Sequence, residues 1–316
     1  MHMDRLKLGI SACLLGERVR FNGGHKHSSL CTEVLAEHFE LVPVCPEMAV
    51  GLGAPRPVIR LVGDASAPRA VMPEHGRDLT DVLQAQAART ADELADISGY
   101  VLMQKSPSCG LHRVKLYRDN GHLAEAGGRG VFAAALQALR PELPMEEEGR
   151  LHDPVLRENF LNRVFVYGRW QRLLAAGLTR QGLIDFHARH KYLLMATHPQ
   201  QQKALGRLLG DLGRHDPEEL GPRYFSQLMA ALSRRATRGT HSNVLQHLSG
   251  YLKQHLDDAE RAELQQLIEQ YRTGVVPLVV PLTLLRHHFN RHPHAYVASQ
   301  DYLRPYPDDL SLRNAI

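Results

Sequence analysis

Four cysteines occur in this chain of 316 residues, and three of them stand in turn-forming surroundings. The runs Ser11-Ala12-Cys13-Leu14-Leu15-Gly16, Cys45-Pro46-Glu47 and Lys105-Ser106-Pro107-Ser108-Cys109-Gly110 each set a thiol near glycine or proline. Such residues aim a side chain and let backbone approach a bulky ligand closely. Three converging thiolates suit a soft metal centre, and spacing alone leaves zinc and an iron–sulfur cluster both open. Taken singly, each thiol also reads as a small buried core group.

The acid–base candidates lie beside those thiols. Glu47 follows Cys45 by two residues and reads either as a base for water or as a cap of its turn. Ser106 reads as a proton donor or as a turn residue. Around them Asn22, Gly23, Ser108 and Arg56 are taken as substrate-binding positions that shape a pocket mouth, against the plainer reading of turn and solvated surface. Cys31 differs, because it falls within an amphipathic pattern and reads first as a packing residue and second as a fourth ligand.

The elements that must bring these groups together alternate in type. Leu6–Ile10, Glu40–Val44 and Gly99–Met103 are strand-like, while Ser28–Phe39, Leu79–Ile97 with Asp78 as cap, and Arg129–Arg140 are helix-like. That alternation predicts an α/β Rossmann-like domain with a mostly parallel sheet. Cys13, Cys45 and Cys109 each follow a predicted strand. The carboxyl ends of parallel strands converge on a ligand crevice, so a position shared by three cysteines favours ligation. The run 144–152 gathers proline and glutamate and reads as a linker between a first domain over 1–143 and an all-helical domain over 153–316. In that second domain Asp153-Pro154 and Asp216-Pro217 read as helix caps followed by proline, and Pro199 and Pro281 as helix openings.

With those motifs in view, the first 140 residues or so resemble the TudS thiouracil desulfidases. The resemblance implies a [4Fe–4S] cluster on Cys13, Cys45 and Cys109 with one iron lacking a protein ligand, and catalytic roles for Glu47 and Ser106. The runs Phe186–Lys191, Asn243–Tyr251 and Val276–Leu285 are similar to the helical domain of the RudS proteins, in which a TudS-type domain is fused to a helical one. That likeness implies removal of sulfur from 4-thiouridine in tRNA, free thiouracil being a further substrate to consider, with the helical domain binding the RNA. Gly51-Leu52-Gly53-Ala54-Pro55 departs from the Gly-Leu-Pro-x-Pro-Arg pattern expected there.

Composition fits an ordinary soluble protein, with 43% apolar and 23% charged residues. A net charge of +4 is unevenly placed: residues 1–150 carry 17 basic and 19 acidic side chains, residues 151–316 carry 21 and 15. The basic second half fits a polyanionic partner or a solubilising surface. Lys191, Arg234, Arg235, Arg238 and His241 are the RNA-binding candidates there, with Tyr192 and Tyr224 as stacking surfaces. His287, His288, His292 and His294 raise a zinc hypothesis that lacks cysteine or patterned acidic partners. The amino-terminal run has no secretory-leader pattern, and no segment is long and apolar enough to span a bilayer, so a cytoplasmic location without membrane contact is expected. Two rival functions remain: a non-enzymatic RNA-binding protein with a structural cluster or zinc, and a zinc hydrolase of a nucleobase, which lacks the usual His-x-Glu and Pro-Cys-x-x-Cys motifs.

Overall fold

The structure, a computed structural model, describes residues 5–307, 310 and 312–316, so the first four residues of the amino-terminal run lie outside it. The chain divides into two compact units, Met1–His152 and Asp153–Ile316.

The first unit is built on a parallel sheet. β1 (Leu6–Ser11), β2 (Phe39–Val44), β6 (Ile97–Leu102) and β9 (Met145–Glu147) pair in the order β2-β1-β6-β9. All six residues of β6 are buried, as a strand covered on both faces requires. The strand order turns back at the β1/β6 junction, the place where open α/β sheets bind ligands. The expected first helix is a π-helical turn, Leu30–Leu35, running into α1 (Ala36–His38). The other two helices are α3 (Thr80–Glu93), whose first turn Asp78 caps through Thr80 N at 2.9 Å, and α4 (Val131–Leu139).

A second sheet escaped the sequence reading. β3 (Arg60–Val62), β4 (Arg69–Met72), β5 (Arg77–Asp78), β7 (Val114–Tyr117) and β8 (Leu123–Gly128) order as β5-β4-β3-β7-β8, mostly antiparallel. Its strands are short and bury alternate residues such as Leu61, Ala70 and Leu116, so none makes a long apolar run. The turn at Asp119-Asn120-Gly121 joins β7 to β8, with Gly121 in the left-handed region at φ 82°.

Residues 144–152 are not a linker. Met145–Glu147 is β9, buried throughout, and Glu148 is buried after it. Their carboxylates are tied inside: Glu146 to Arg150, Glu147 to the amides of Leu111 and His112, and Glu148 to Ser28. Like charges in sequence signal solvent only where no internal donors meet them.

The second unit is helical, as its proline-capped starts predicted. Asp153 caps α5 (Pro154–Ala175), accepting from Val155 N and Leu156 N. Asp216 caps α8 (Pro217–Leu232), and Pro199 opens α7 (Pro199–Gly210). With α6 (Arg180–Thr197), α9 (Arg238–Ser249), α10 (Asp258–Thr273), α11 (Val279–Arg291) and the short α12 (Ala295–Ala298), they enclose one apolar core. In it Trp170 stacks on Phe225 at 4.5 Å. Groups centred on buried carboxylates tie it together: Glu158 with Arg313, and Asp301 with Arg169, His190 and the half-exposed Arg189. Among the described residues no helix is long and apolar enough to cross a membrane.

Candidate active site

Each cysteine of the parallel sheet is placed by the turn chemistry around it. Cys13 lies in a 3-10 turn, Ala12–Leu15, that Gly16 ends in the left-handed region at φ 93°. Cys45 is the residue before α2 (Pro46–Ala49), whose first position Pro46 fills without leaving an amide donor unused. Cys109 is carried on a loop clamped to the start of α4: Val131 N donates to Pro107 O at 3.0 Å, and Ala133 N to Ser108 O at 3.0 Å. Those are amides that a helix start would otherwise leave unpaired. Gly130 permits this closeness, since a Cβ there would stand 2.4 Å from Ser108 O.

All three cysteines line one crevice of about 520 Å³. Burial raises each thiol above its ordinary pKa. Cys13 is pushed up to about 11 by burial and then by Cys45, and Cys109 is raised well above its ordinary value, with burial first and Glu47 next. Ser11 Oγ accepts Met103 N at 2.9 Å, linking β1 to the loop after β6. Among the described residues no three His, Cys, Asp or Glu side chains close on a single-ion position, the carboxy-terminal histidines included. Cys31 is fully buried but does not line the crevice, and its amide donates to Ser28 O at 3.1 Å.

Glu47 stands in the crevice wall between two partners. Its Oε1 accepts the Ser108 hydroxyl at 2.7 Å, and its Oε2 is ion-paired with Arg56, whose side chain is 2% exposed. Arg56 also donates to Gly53 O at 2.6 Å. Ser106, for which the resemblance implies a catalytic role, lines the crevice, and its Oγ accepts the amides of Ser108 and Cys109 at 3.2 and 3.1 Å, which shapes the cysteine loop; the serine bonded to Glu47 is Ser108.

Of the expected pocket residues, Arg56 and Ser106 line the crevice, and Ser108 reaches it through Glu47. Asn22 and Gly23 do not; Asn22 Oδ1 accepts Gly24 N at 3.1 Å and holds its own turn. The crevice instead adds Arg20, Phe21, Lys26, Gln104 and Lys105. Lys105 sits beside the Ser-Pro-Ser-Cys run and is a non-glycine residue at φ 58°, a strain that sequence does not display. Glu147 was missed for the reason given above, yet it holds the backbone just after Cys109.

In the helical unit Arg234 and Arg235 are exposed, as phosphate contacts require. Arg238 is exposed but spends donors on Tyr271 O at 2.9 Å and Val276 O at 3.3 Å. Lys191 is half-buried, its ammonium 5.6 Å from the Tyr192 ring centre and 5.9 Å from that of Tyr296. His241 is a correction: it is 6% exposed, its Nδ1 is 2.8 Å from the Tyr302 hydroxyl, and it lies inside the helical unit beside Tyr271, Glu158 and Arg313. Tyr192 and Tyr224 are likewise buried and offer no stacking face.

The family model described as 2-thiouracil desulfurase matches residues 8–148. A second model, described as a protein of unknown function, DUF1722, matches residues 191–307. The uncharacterised protein YbgA of Escherichia coli (strain K12) is 32% identical over 159 residues, covering 50% of this chain and 94% of that protein. The uncharacterised protein YbbK of Bacillus subtilis (strain 168) is 29% identical over 146 residues, covering 44% of this chain and 95% of that protein. Among solved structures, the [4Fe-4S]-dependent thiouracil desulfidase TudS is 30% identical with a TM-score of 0.38, covering 47% of this chain and 94% of that one.

Proposed function

Because the chain joins a 2-thiouracil desulfurase domain at residues 8–148 to a DUF1722 domain at residues 191–307, we propose that it removes sulfur from 4-thiouridine in tRNA, using a [4Fe–4S] cluster held by Cys13, Cys45 and Cys109. The observation that carries this reading is the meeting of three thiols with the Ser108–Glu47–Arg56 chain in one crevice.

The residues fit such a cluster. Three soft donors line one cavity, a donor set that suits an iron–sulfur cluster. The buried Tyr100 hydroxyl has no partner among the protein atoms. Cys31 lies outside the crevice lining and supplies no fourth thiolate to it. When bound, a cluster with one iron free of protein thiolate supplies a soft Lewis-acid position for a thiocarbonyl sulfur.

The chain's own groups then have distinct tasks. Glu47 takes a proton from the water that adds to the thiocarbonyl carbon. A C–O bond forms, the C–S bond breaks and sulfide leaves, so no oxidant is needed. Ser108 and Arg56 hold the carboxylate in one orientation. Phe21, exposed at the crevice, offers a face for the base, and Arg20, Lys26 and Lys105 offer charge to its phosphates. A base held in a helix must leave its stack to reach them. Arg234 and Arg235 of the helical unit supply further, sequence-independent phosphate contacts.

The test is anaerobic purification followed by assay. The protein carries about four irons per chain, as this cluster type requires, and releases sulfide from tRNA containing 4-thiouridine. Zinc as the only bound metal, or unchanged desulfidation after Cys45→Ala, would sink the reading. Turnover of free 2-thiouracil but not of thiolated tRNA would keep the chemistry and replace the substrate.

A further inference from the structure

Tyr100 stands in the middle of β6 with its side chain fully buried, and its hydroxyl has no hydrogen-bond partner. Burying a hydroxyl unpaired is unfavourable, so a phenol in a core is ordinarily replaced by phenylalanine unless something outside the protein atoms meets it. The ring is also specifically seated. It crosses Gly9 of β1 so closely that a Cβ there would stand 2.5 Å from a ring carbon, and it meets Phe132 edge-on at 6.3 Å. Gly9 and Tyr100 are register partners in adjacent parallel strands, at the junction where the strand order reverses. β6 leads into the loop that carries Cys109 and β1 into the turn that carries Cys13, and beyond burial the electrostatic surroundings of the hydroxyl include those two thiols and Cys45, with no hydrogen bond to any of them.

We infer that the Tyr100 hydroxyl is a hydrogen-bond donor to the sulfur atoms of the centre held by Cys13, Cys45 and Cys109. The inference rests on the cluster reading given under Proposed function. Tyr100 is thereby a positioning residue: it stands outside the crevice lining, acts on the centre through those sulfurs and takes no proton in the reaction. A hydrogen bond to sulfur favours the more negative, reduced form of a cluster, and so raises its potential. It also shields the sulfur from oxidants and holds the centre in place.

This gives opposite signs with and without the cofactor, which a packing role would not do. Tyr100→Phe keeps the ring on Gly9 and removes only the hydroxyl. In the apoprotein the variant melts at the same temperature as wild type or higher, because an unpaired buried group is gone. In the loaded protein its midpoint potential falls, the electron paramagnetic resonance signal of the reduced centre shifts, and the cluster is lost several-fold faster in air. Overturning results are a potential and cluster lifetime equal to wild type in protein loaded to the same iron content, or a lower apoprotein melting temperature, which would mean that the hydroxyl has a protein partner. If wild type itself takes up no cluster, the functional reading fails together with this one. A loaded wild type with an indifferent variant sinks this inference alone.

Discussion

The Ser108 hydroxyl donates to Glu47 Oε1 at 2.7 Å, which joins the loop of Cys109 to the turn of Cys45 across 61 residues of sequence. Ser108 is fully buried, so this bond is shielded from water and fixes the carboxylate relative to two of the three thiols. Removing a hydrogen bond to a charged group is worth roughly 1.5–3 kcal/mol. Ser108→Ala should therefore lower kcat roughly 10- to 100-fold while iron content holds. Glu47→Gln keeps the shape but removes the base, and should lose at least about 100-fold. Single-turnover sulfide release, normalised to iron, checks both; a Glu47→Gln protein of wild-type rate would exclude Glu47 as the base.

Glu147 supports the same loop from the other side. Its Oε1 accepts the amides of Leu111 at 2.8 Å and His112 at 3.0 Å, just beyond Cys109. Glu147→Ala leaves a buried amide without a partner, which costs roughly 1–3 kcal/mol, and frees the loop. The melting temperature and the iron retained after gel filtration should both fall. By contrast Cys31→Ala should lower only the melting temperature, because Cys31 packs against Ser28 outside the crevice. Loss of iron from Cys31→Ala would mark it as a ligand after all.

These residues show what the sequence displayed and what it hid. The cysteine motifs follow strands in both readings, since alternation of apolar runs and turn residues encodes a parallel sheet directly. The helical second half was legible from Asp-Pro starts for a like reason: a cap and a proline act on backbone a few residues away. Hidden were relationships that only packing makes. Ser106 and Ser108 are chemically alike and two residues apart, and only the fold shows that one shapes the loop and the other reaches Glu47. Glu146, Glu147 and Glu148 read as solvated charge, because their partners Arg150, Leu111 and Ser28 are not evident from a charge run. His241 read as a surface base because its basic neighbours are exposed, although its own helical position faces the core.

His241 makes the helical unit sensitive to acid. Burial lowers its pKa to about 4 from an ordinary value of 6.5. Between these values the unfolded chain takes up a proton that the folded chain refuses, so stability is complete above about 6.5 and declines as pH falls toward about 4. The shift corresponds to about 3 kcal/mol over that window. His241→Gln should flatten this part of the stability–pH curve while lowering stability at neutral pH, since the bond with Tyr302 changes. Urea unfolding between pH 4.5 and 7.5 measures it; equal slopes for variant and wild type would place the titrating group elsewhere.

The two sets of basic residues should separate by substrate. Arg234 and Arg235 are exposed in the helical unit, whereas Lys26 and Lys105 line the crevice. A phosphate contact releases condensed counterions, so each arginine lost should reduce the slope of log K against log salt by about 1. Arg234→Ala with Arg235→Ala should then raise KM for thiolated tRNA, most strongly at low salt, and leave turnover of a free thiolated base unchanged. Lys26→Ala with Lys105→Ala acts at the crevice itself. It should raise KM for a thiolated nucleotide as well as for tRNA, since both bring a phosphate to the pocket mouth, and should again spare the free base. A double arginine variant that binds tRNA with the wild-type salt slope would remove these side chains from the interface. In that case the exposed charge of the helical unit serves solubility, and the RNA contacts lie with the crevice lysines.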